Sequence, residues 1–206
     1  MRITRTRSKI LLLLTGLLLA AFVASPAASA TSAGHHARLT GTTSVTTAPG
    51  VAGTLIKAGV LPLPARQTGF WLGYRHGLTA RYTFPITGGN PDLAAGTGDI
   101  LHAGGITFVS HRARLQVSDF DIDLAAGTVF ATKVNGAPTR VALLDLKLSG
   151  LKVSTCRGTT TLSGIGLNLD PAGAAALNAT FGLSLPADGS LAFGTATVTL
   201  HTRSES

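Results

Sequence analysis

The sequence contains one cysteine, Cys156, and one glutamate, Glu205, in 206 residues. A single thiol cannot form an internal disulfide, so the hydrophobic core must hold the fold. With Glu found only near the C-terminus, acid–base chemistry would depend on Asp and His. The sequence also lacks a Gly-x-Ser-x-Gly elbow, a His-Glu-x-x-His motif and a phosphate-binding P-loop. We therefore predict that the protein is not an enzyme.

Charge is equally sparse, since charged residues make up only 13% of the chain. The basic residues outside the first ten positions are spread singly, without the clustered stripe that nucleic-acid binding requires. We therefore expect no nucleic-acid partner. Val, Thr, Leu, Ala and Gly dominate instead, which is typical of a β-rich module with glycine turns.

Residues 1–30 have the pattern of a cleaved signal peptide. An apolar run over residues 10–23 precedes Ala28-Ser29-Ala30, a small-x-small cleavage pattern. The run is shorter than the roughly 20 residues that span a bilayer, although a retained anchor is the alternative. We predict a secreted protein, extracellular or associated with the cell wall, with no membrane span after cleavage. Cleavage would lower the formal net charge from +8 to +4 by removing Arg2, Arg5, Arg7 and Lys9.

The rest of the chain predicts one all-β domain. Residues 31–49 are rich in Ser, Thr, Ala and Gly, which favours a flexible leader. The domain is expected over residues 50–202, and from Leu78 onward apolar and polar side chains alternate between glycine turns, which indicates an antiparallel β-sandwich or a distorted barrel. Short helices are expected near residues 50–58 and 171–181, and residues 203–206 form a polar tail.

Two sets of apolar residues, three apiece, predict a bend within one strand. Each set shares one face, but the two sets are out of phase by one residue: Ala113, Leu115 and Val117, then Phe120, Ile122 and Leu124. A regular strand would expose one set to water, so we expect a β-bulge or sharp bend at Ser118-Asp119.

Local motifs predict where several elements turn or begin. Asn135-Gly136 is a strong hairpin signal because both positions accept positive φ, and Arg157-Gly158 is expected to turn a second hairpin. Asp170 followed by Pro171 has the pattern of a helix N-cap and first turn, and Gly182 can end that helix.

One part of the chain resembles a known family. The stretch Gly-Gly-Ile-Thr-Phe-Val-Ser-His over residues 104–111, the step Ser-Asp-Phe-Asp-Ile over 118–122, and Leu-Asp-Pro-Ala-Gly-Ala-Ala-Ala-Leu over 169–177 are similar to the central and later parts of HtaA domains. The resemblance covers roughly residues 82–198. HtaA domains are haem-binding modules of exported and surface proteins of actinobacteria, so the resemblance implies an HtaA-like β fold and haem as a cofactor.

The resemblance also implies a ligand set. In that family a tyrosine phenolate holds ferric haem iron, with a histidine close by; phenolate is a hard anionic ligand that suits Fe(III). His111 falls where the family has its histidine. The nearest counterpart of the tyrosine segment is Phe70-Trp71-Leu72-Gly73-Tyr74, with different spacing, which makes Tyr74 the candidate ligand. The other tyrosine, Tyr82, alternates in phase with core residues and is predicted to be buried.

The residues around Tyr74 support a ligand site on chemical grounds too. Trp71 could stack on a planar molecule, Arg75 could meet a carboxylate through a bidentate contact, and His76 adds a further polar group. The alternative is a loop in which Trp71 anchors the fold.

Two function classes therefore remain. The first is an exported, non-enzymatic ligand-binding module, with haem as the ligand that the resemblance implies. The second is an extracellular structural or interaction domain with a protein or cell-wall partner. No metal site is predicted, because three histidines show no local ligand spacing: His76, His102 and His111. Three alternating Asp residues are expected to lie on the solvent-exposed face of a strand: Asp119, Asp121 and Asp123.

Overall fold

The computed structural model describes residues 38–74 and 76–203, and antiparallel strands make up most of them. The elements in chain order are β1 (Arg38–Thr47), α1 (Val51–Lys57), β2 (Leu61–Pro64), β3 (Gly69–Tyr74), β4 (Leu78–Gly89), β5 (Asp99–His102), β6 (Gly105–Val109), β7 (Arg114–Asp123), β8 (Thr128–Val134), β9 (Ala137–Lys147), β10 (Lys152–Cys156), β11 (Thr159–Leu169), α2 (Pro171–Phe181) and β12 (Ala192–Arg203). The predicted signal peptide lies outside the described residues, as do residues 31–37 of the predicted leader and residues 204–206 of the predicted tail.

Eight strands close into an antiparallel barrel. The pairing runs β7-β5-β4-β1-β12-β11-β9-β8, and β8 pairs with β7 to complete the ring. The remaining strands pair with the parts of barrel strands that extend beyond the ring: β6 continues the line of β5 along β7 and pairs with β2, β3 lies on β4, and β10 lies on β11. The all-β prediction is confirmed, and of its two alternatives the barrel is correct. Closure pairs the strand edges that an open sheet would leave exposed.

The barrel has two distinct ends. β4, β7 and β9 finish at one end, which we call the mouth end. β1, β8 and β11 finish at the other, which we call the α2 end because α2 follows β11 directly.

The structure corrects the predicted leader over residues 38–47, which form β1. This strand lies inside the barrel wall and is paired along β12 on one side and β4 on the other. Its side chains explain why this segment forms a strand. Leu39, Thr43 and Thr47 are buried, and Thr is a good strand former. The domain therefore begins before residue 50, and its last strand extends through Arg203 into the segment predicted to be a polar tail.

The predicted bend in β7 is confirmed. Asp119 has a φ of 54°, in the left-handed region, and its backbone N–H donates to the Gly104 carbonyl where β5 passes into β6. The bend shifts the phase of the strand, so that Val117 and Phe120 both reach the core. One residue out of regular conformation thus keeps both apolar sets on the inside.

The turn and cap predictions are also confirmed. Asn135 and Gly136 both have positive φ, and so do Arg157 and Gly158. The Asp170 carboxylate accepts a hydrogen bond from the Ala172 backbone N–H at 2.7 Å, and α2 ends at a left-handed Gly182. The first helix is confirmed as well, over Val51–Lys57.

The core lines the inside of the barrel and continues under both helices. Its members come from most of the strands, with Ala52 and Leu55 of α1 and Ala174 and Leu177 of α2. Neither of the two helices in the described part of the chain is long and apolar enough to cross a membrane.

Candidate ligand-binding site

The barrel encloses an apolar cavity of about 230 Å³. A single enclosed water needs roughly 10–15 Å³ of such space, so the cavity is many times larger than a one-water void and can accept a small molecule. Its wall is contributed by the inner faces of the strands, including Phe84, Ile100, Phe120, Leu162 and Val198. Among the described residues that line it, none carries a charged side chain at neutral pH.

Helix α2 closes one end of the cavity. The helix packs against β9 and β7, and Gly173, Ala176 and Leu177 reach the cavity lining. Gly173 is needed for this approach, because a Cβ there would lie 2.9 Å from the Leu143 carbonyl oxygen. The N-cap at Asp170 fixes where the helix starts. The local capping motif therefore sets the closed end.

The opposite end is where the cavity meets solvent. Exposed residues that line the cavity lie at the mouth end: Leu93, Gly96, Leu148, Leu151 and Val153. Val153 of β10 is the cross-strand partner of Leu162 of β11, so both side chains are on the inner face of the sheet. Leu162 is 5% exposed and Val153 is 58% exposed. The apolar wall thus continues from the interior out to a solvent-exposed rim.

Two polar side chains in the cavity wall pair with each other. Thr43 Oγ1 lies 2.7 Å from His102 Nε2, within hydrogen-bonding distance, and His102 is only 4% exposed. Burial lowers the pKa of His102 to about 4, while the nearby Phe120 and Ile100 backbone carbonyls act in the opposite direction. Neither carbonyl completes a hydrogen bond with Nδ1, which is buried without a partner. At neutral pH the imidazole is uncharged, and the pair adds no charge to the cavity.

Tyr82 is buried, as predicted, and its hydroxyl has a structural partner. The phenol donates a hydrogen bond to the Pro62 carbonyl at 2.7 Å, and its ring contacts Phe70 and Phe84. Burial raises the pKa of this phenol well above its usual value. Tyr82 therefore stays protonated and does not supply a phenolate.

The predicted site residues of β3 lie on an exposed strand at the α2 end. Tyr74 is the last residue of β3, opposite Leu78 of β4, and is 83% exposed. Trp71 lies on the other face of the strand, where the Arg81 guanidinium is 5.8 Å from its ring centroid. His76 is exposed in the turn that follows. Arg75 lies outside the described residues.

His111 lies in a different hairpin. It is exposed between β6 and β7, and because β7 and β4 both start at the α2 end, His111 and Tyr74 belong to the same end of the barrel. Neither of them lines the internal cavity. The Tyr74 and His111 set stays a prediction, and it does not form an enclosed haem pocket in the described structure.

The Asp series of β7 is held by basic side chains. Arg140 Nη2 lies 3.1 Å from Asp121 Oδ2 and 3.4 Å from Asp123 Oδ2, and Lys133 pairs with Asp119 at 2.7 Å. No group of three or more potential metal ligands comes together within residues 38–74 and 76–203.

The cavity and its mouth could not be predicted from the sequence. Their residues come from strands far apart in the chain, and most of them look like ordinary core positions. One local signal did exist: Leu148, Leu151 and Val153 are apolar residues in a segment whose turns predict exposure.

Comparison with known proteins supports the architecture. No protein-family model matches the sequence, and no curated protein matches it. Among solved structures, the C-terminal domain of HtaA from Corynebacterium glutamicum superposes with a TM-score of 0.50 at 17% identity, covering 79% of this chain and 99% of that domain. The fold resembles that of an HtaA domain. At this identity the likeness to HtaA concerns the fold alone.

Proposed function

We propose that this protein is an exported, non-enzymatic binding module that takes a small apolar molecule into the barrel. The observation that carries the proposal is the uncharged cavity with an exposed apolar mouth. Ligand sites are usually largely preformed, concave and lined by apolar side chains. A ligand that fits this wall is uncharged where it is enclosed, and any polar group it has stays at the mouth.

A fluorescent probe tests the proposal. N-phenyl-1-naphthylamine is neutral and apolar, and we expect it to bind with one-to-one stoichiometry and enhanced emission. The variant Val153→Asp places a charge on the inner face of the rim and should weaken binding about tenfold, or about 1.4 kcal/mol, because a bound apolar probe would partly desolvate the new carboxylate. Ser154→Asp is the matched control, because it adds the same charge one residue along on the opposite face of β10.

The outcomes separate the two function classes. Saturable binding that Val153→Asp weakens and Ser154→Asp leaves intact supports a cavity ligand. No binding at micromolar protein by a folded chain would instead favour the alternative, an extracellular structural or interaction domain.

A second candidate function is haem binding at β3. It is supported by the exposed face of that strand, where Phe70, Leu72 and Tyr74 continue the inner face of β4 out into solvent. An apolar strand face ending in an accessible phenol suits a planar ligand with a metal centre. His111 at the same end would add a contact, whereas Trp71 lies on the opposite face of β3.

Haemin titration tests this candidate with a matched pair of tyrosine variants. A Soret shift that Tyr74→Phe abolishes and Tyr82→Phe preserves would support ligation by Tyr74. The Tyr82 variant is the control because that phenol is buried and donates a hydrogen bond to the Pro62 carbonyl. An unshifted Soret band with the unaltered protein would contradict haem binding.

A further inference from the structure

The mouth of the barrel carries a projecting segment of mixed apolar and basic character. We call residues 147–157 the lip; they run from the end of β9 through β10 to the turn before β11. β9 and β10 both lie along β11, one after the other, and residues 148–151 form the step between them. The Leu151 backbone N–H donates to the Leu148 carbonyl at 3.0 Å, which closes this step as a turn.

The lip exposes large apolar side chains without a partner in the described chain. Leu148 and Leu151 of the turn and Val153 of β10 are each more than a third exposed. All three also line the cavity. A contiguous apolar rim of this kind, at the entrance to an apolar cavity, marks a surface that binds something apolar.

The charged residues of the lip are all basic. It contains Lys147, Lys152 and Arg157 and no acidic residue, and no acidic residue lies between its end at residue 157 and Asp170. The ion pairs found among the described residues use Lys133 and Arg140 instead. Three basic side chains thus flank the apolar rim with no anionic partner in the described part of the fold.

Strand register places the two kinds of side chain on different faces. Val153 is on the inner face with Leu162, so the adjacent Lys152 is on the outer face. Lys147 is outward as well, because its neighbour Leu146 pairs with the buried Leu167. Long basic side chains beside an apolar edge can reach anionic headgroups while the edge enters the hydrocarbon boundary.

We propose that the lip docks the barrel on an anionic lipid bilayer. Leu148, Leu151 and Val153 enter the boundary between headgroups and acyl chains, and Lys147, Lys152 and Arg157 lie among the lipid phosphates. Charge complementarity selects this occupant, since a neutral apolar partner would leave three cations without counter-charges. Docking in this orientation presents the cavity mouth to the bilayer, so an apolar ligand could pass between lipid and cavity without crossing water.

Vesicle co-sedimentation tests the docking surface, using the chain without residues 1–30, as the proposed export would leave it. Vesicles of phosphatidylcholine with about one third phosphatidylglycerol should retain the protein, and pure phosphatidylcholine vesicles should retain much less. The double variant Lys152→Gln with Arg157→Gln should weaken binding to anionic vesicles about thirtyfold, because each basic residue at such a surface contributes severalfold to affinity. Added salt should weaken binding of the unaltered protein as well.

The matched control removes the same charge from the other end of the barrel. Arg112→Gln with Arg114→Gln alters two exposed arginines at the start of β7, at the α2 end, and should leave vesicle binding unchanged. A second variant, Leu148→Ser with Leu151→Ser, should weaken binding while all charges remain. Thermal melting of each variant checks that it folds.

Several results would overturn the proposal. These are no binding to anionic vesicles at low salt, equal binding to neutral vesicles, or equal losses in the Arg112/Arg114 control. A lip-dependent dimer in solution without vesicles would also overturn it, by identifying a second copy as the occupant. Docking does not require a ligand in the cavity, so a negative probe titration with positive vesicle binding would reject the proposed function alone.

Discussion

His102 and Thr43 form a buried hydrogen-bonded pair in the barrel wall, with His102 Nε2 2.7 Å from Thr43 Oγ1. The pair joins β5 to β1, which are both neighbours of β4 in the barrel. Because the other ring nitrogen, Nδ1, is buried without a partner, protonation of the ring would place an uncompensated charge in an apolar wall. The pair therefore couples the protonation of one side chain to the stability of the barrel.

Acidification should destabilise the protein through His102. Its pKa is about 4 in the folded protein, against the ordinary histidine value of 6.5 that applies to the unfolded chain, so the unfolded chain binds more protons between these two pH values. The free energy of unfolding should thus fall by up to about 3 kcal/mol between pH 6.5 and pH 4. Urea unfolding at several pH values measures this slope.

The variant His102→Gln isolates the contribution of this side chain. It should be less stable than the unaltered protein at pH 7, because the packed ring is lost, but its stability should fall less between pH 6.5 and 4. An identical pH slope in both proteins would assign acid sensitivity to other groups. His111→Gln is the control, since that side chain is exposed and should leave the slope unchanged.

A close strand approach at Gly194 predicts a large steric effect. Gly194 of β12 faces β1, and a Cβ at this position would lie 2.1 Å from the Thr46 carbonyl oxygen. Gly194→Ala should therefore cost several kcal/mol, because a backbone atom in a paired strand cannot move away cheaply. Gly88→Ala is the matched control, since a Cβ there meets nothing within 4 Å; it should change stability by less than about 1 kcal/mol. Equal effects in thermal melting would contradict the tight β1–β12 approach.

Features encoded by neighbouring residues could be predicted from the sequence. The Asn135-Gly136 turn and the Asp170 cap depend on backbone preferences within a few residues, and both are present. The bend at Asp119 could be predicted too, because the phase of buried residues changes within one strand.

Features that depend on distant pairing could not be predicted in this way. The small, polar composition of β1 predicts a flexible segment, yet β1 is ordered by pairing with β4 and β12, which lie about 40 and up to 165 residues away. The cavity arises only when β8 pairs with β7 and closes the barrel. Its mouth depends on the register that places Val153 opposite Leu162. No local pattern contains that information.

The cap of α2 should contribute measurably to stability. Asp170→Ala removes the acceptor for the Ala172 backbone N–H and should cost about 1 kcal/mol. Asp170→Asn retains a capping oxygen and should recover most of that loss. Since α2 closes the cavity, Asp170→Ala should also raise amide hydrogen exchange in the first turn of the helix. Equal stability of both variants would show that the cap is not formed in solution.

The Arg140 guanidinium joins two carboxylates and an aromatic ring on the outside of the barrel. It contacts Asp121 and Asp123 and lies 3.4 Å from the Phe130 ring centroid. Arg140 is about half exposed, so each ion pair should contribute less than about 1 kcal/mol after solvent screening. Arg140→Lys keeps the charge but loses the planar stacking on Phe130, and should cost about 0.5–1 kcal/mol.

A double-mutant cycle separates these two contributions of Arg140. Combining Arg140→Gln with Asp121→Asn should give a coupling energy of about 0.5–1 kcal/mol that falls with added salt. Combining Arg140→Gln with Phe130→Leu should give a coupling that salt changes little, because the ring carries no net charge. If both couplings respond equally to salt, the guanidinium does not stack on Phe130 in solution, and its contribution at this point is ion pairing to β7 alone.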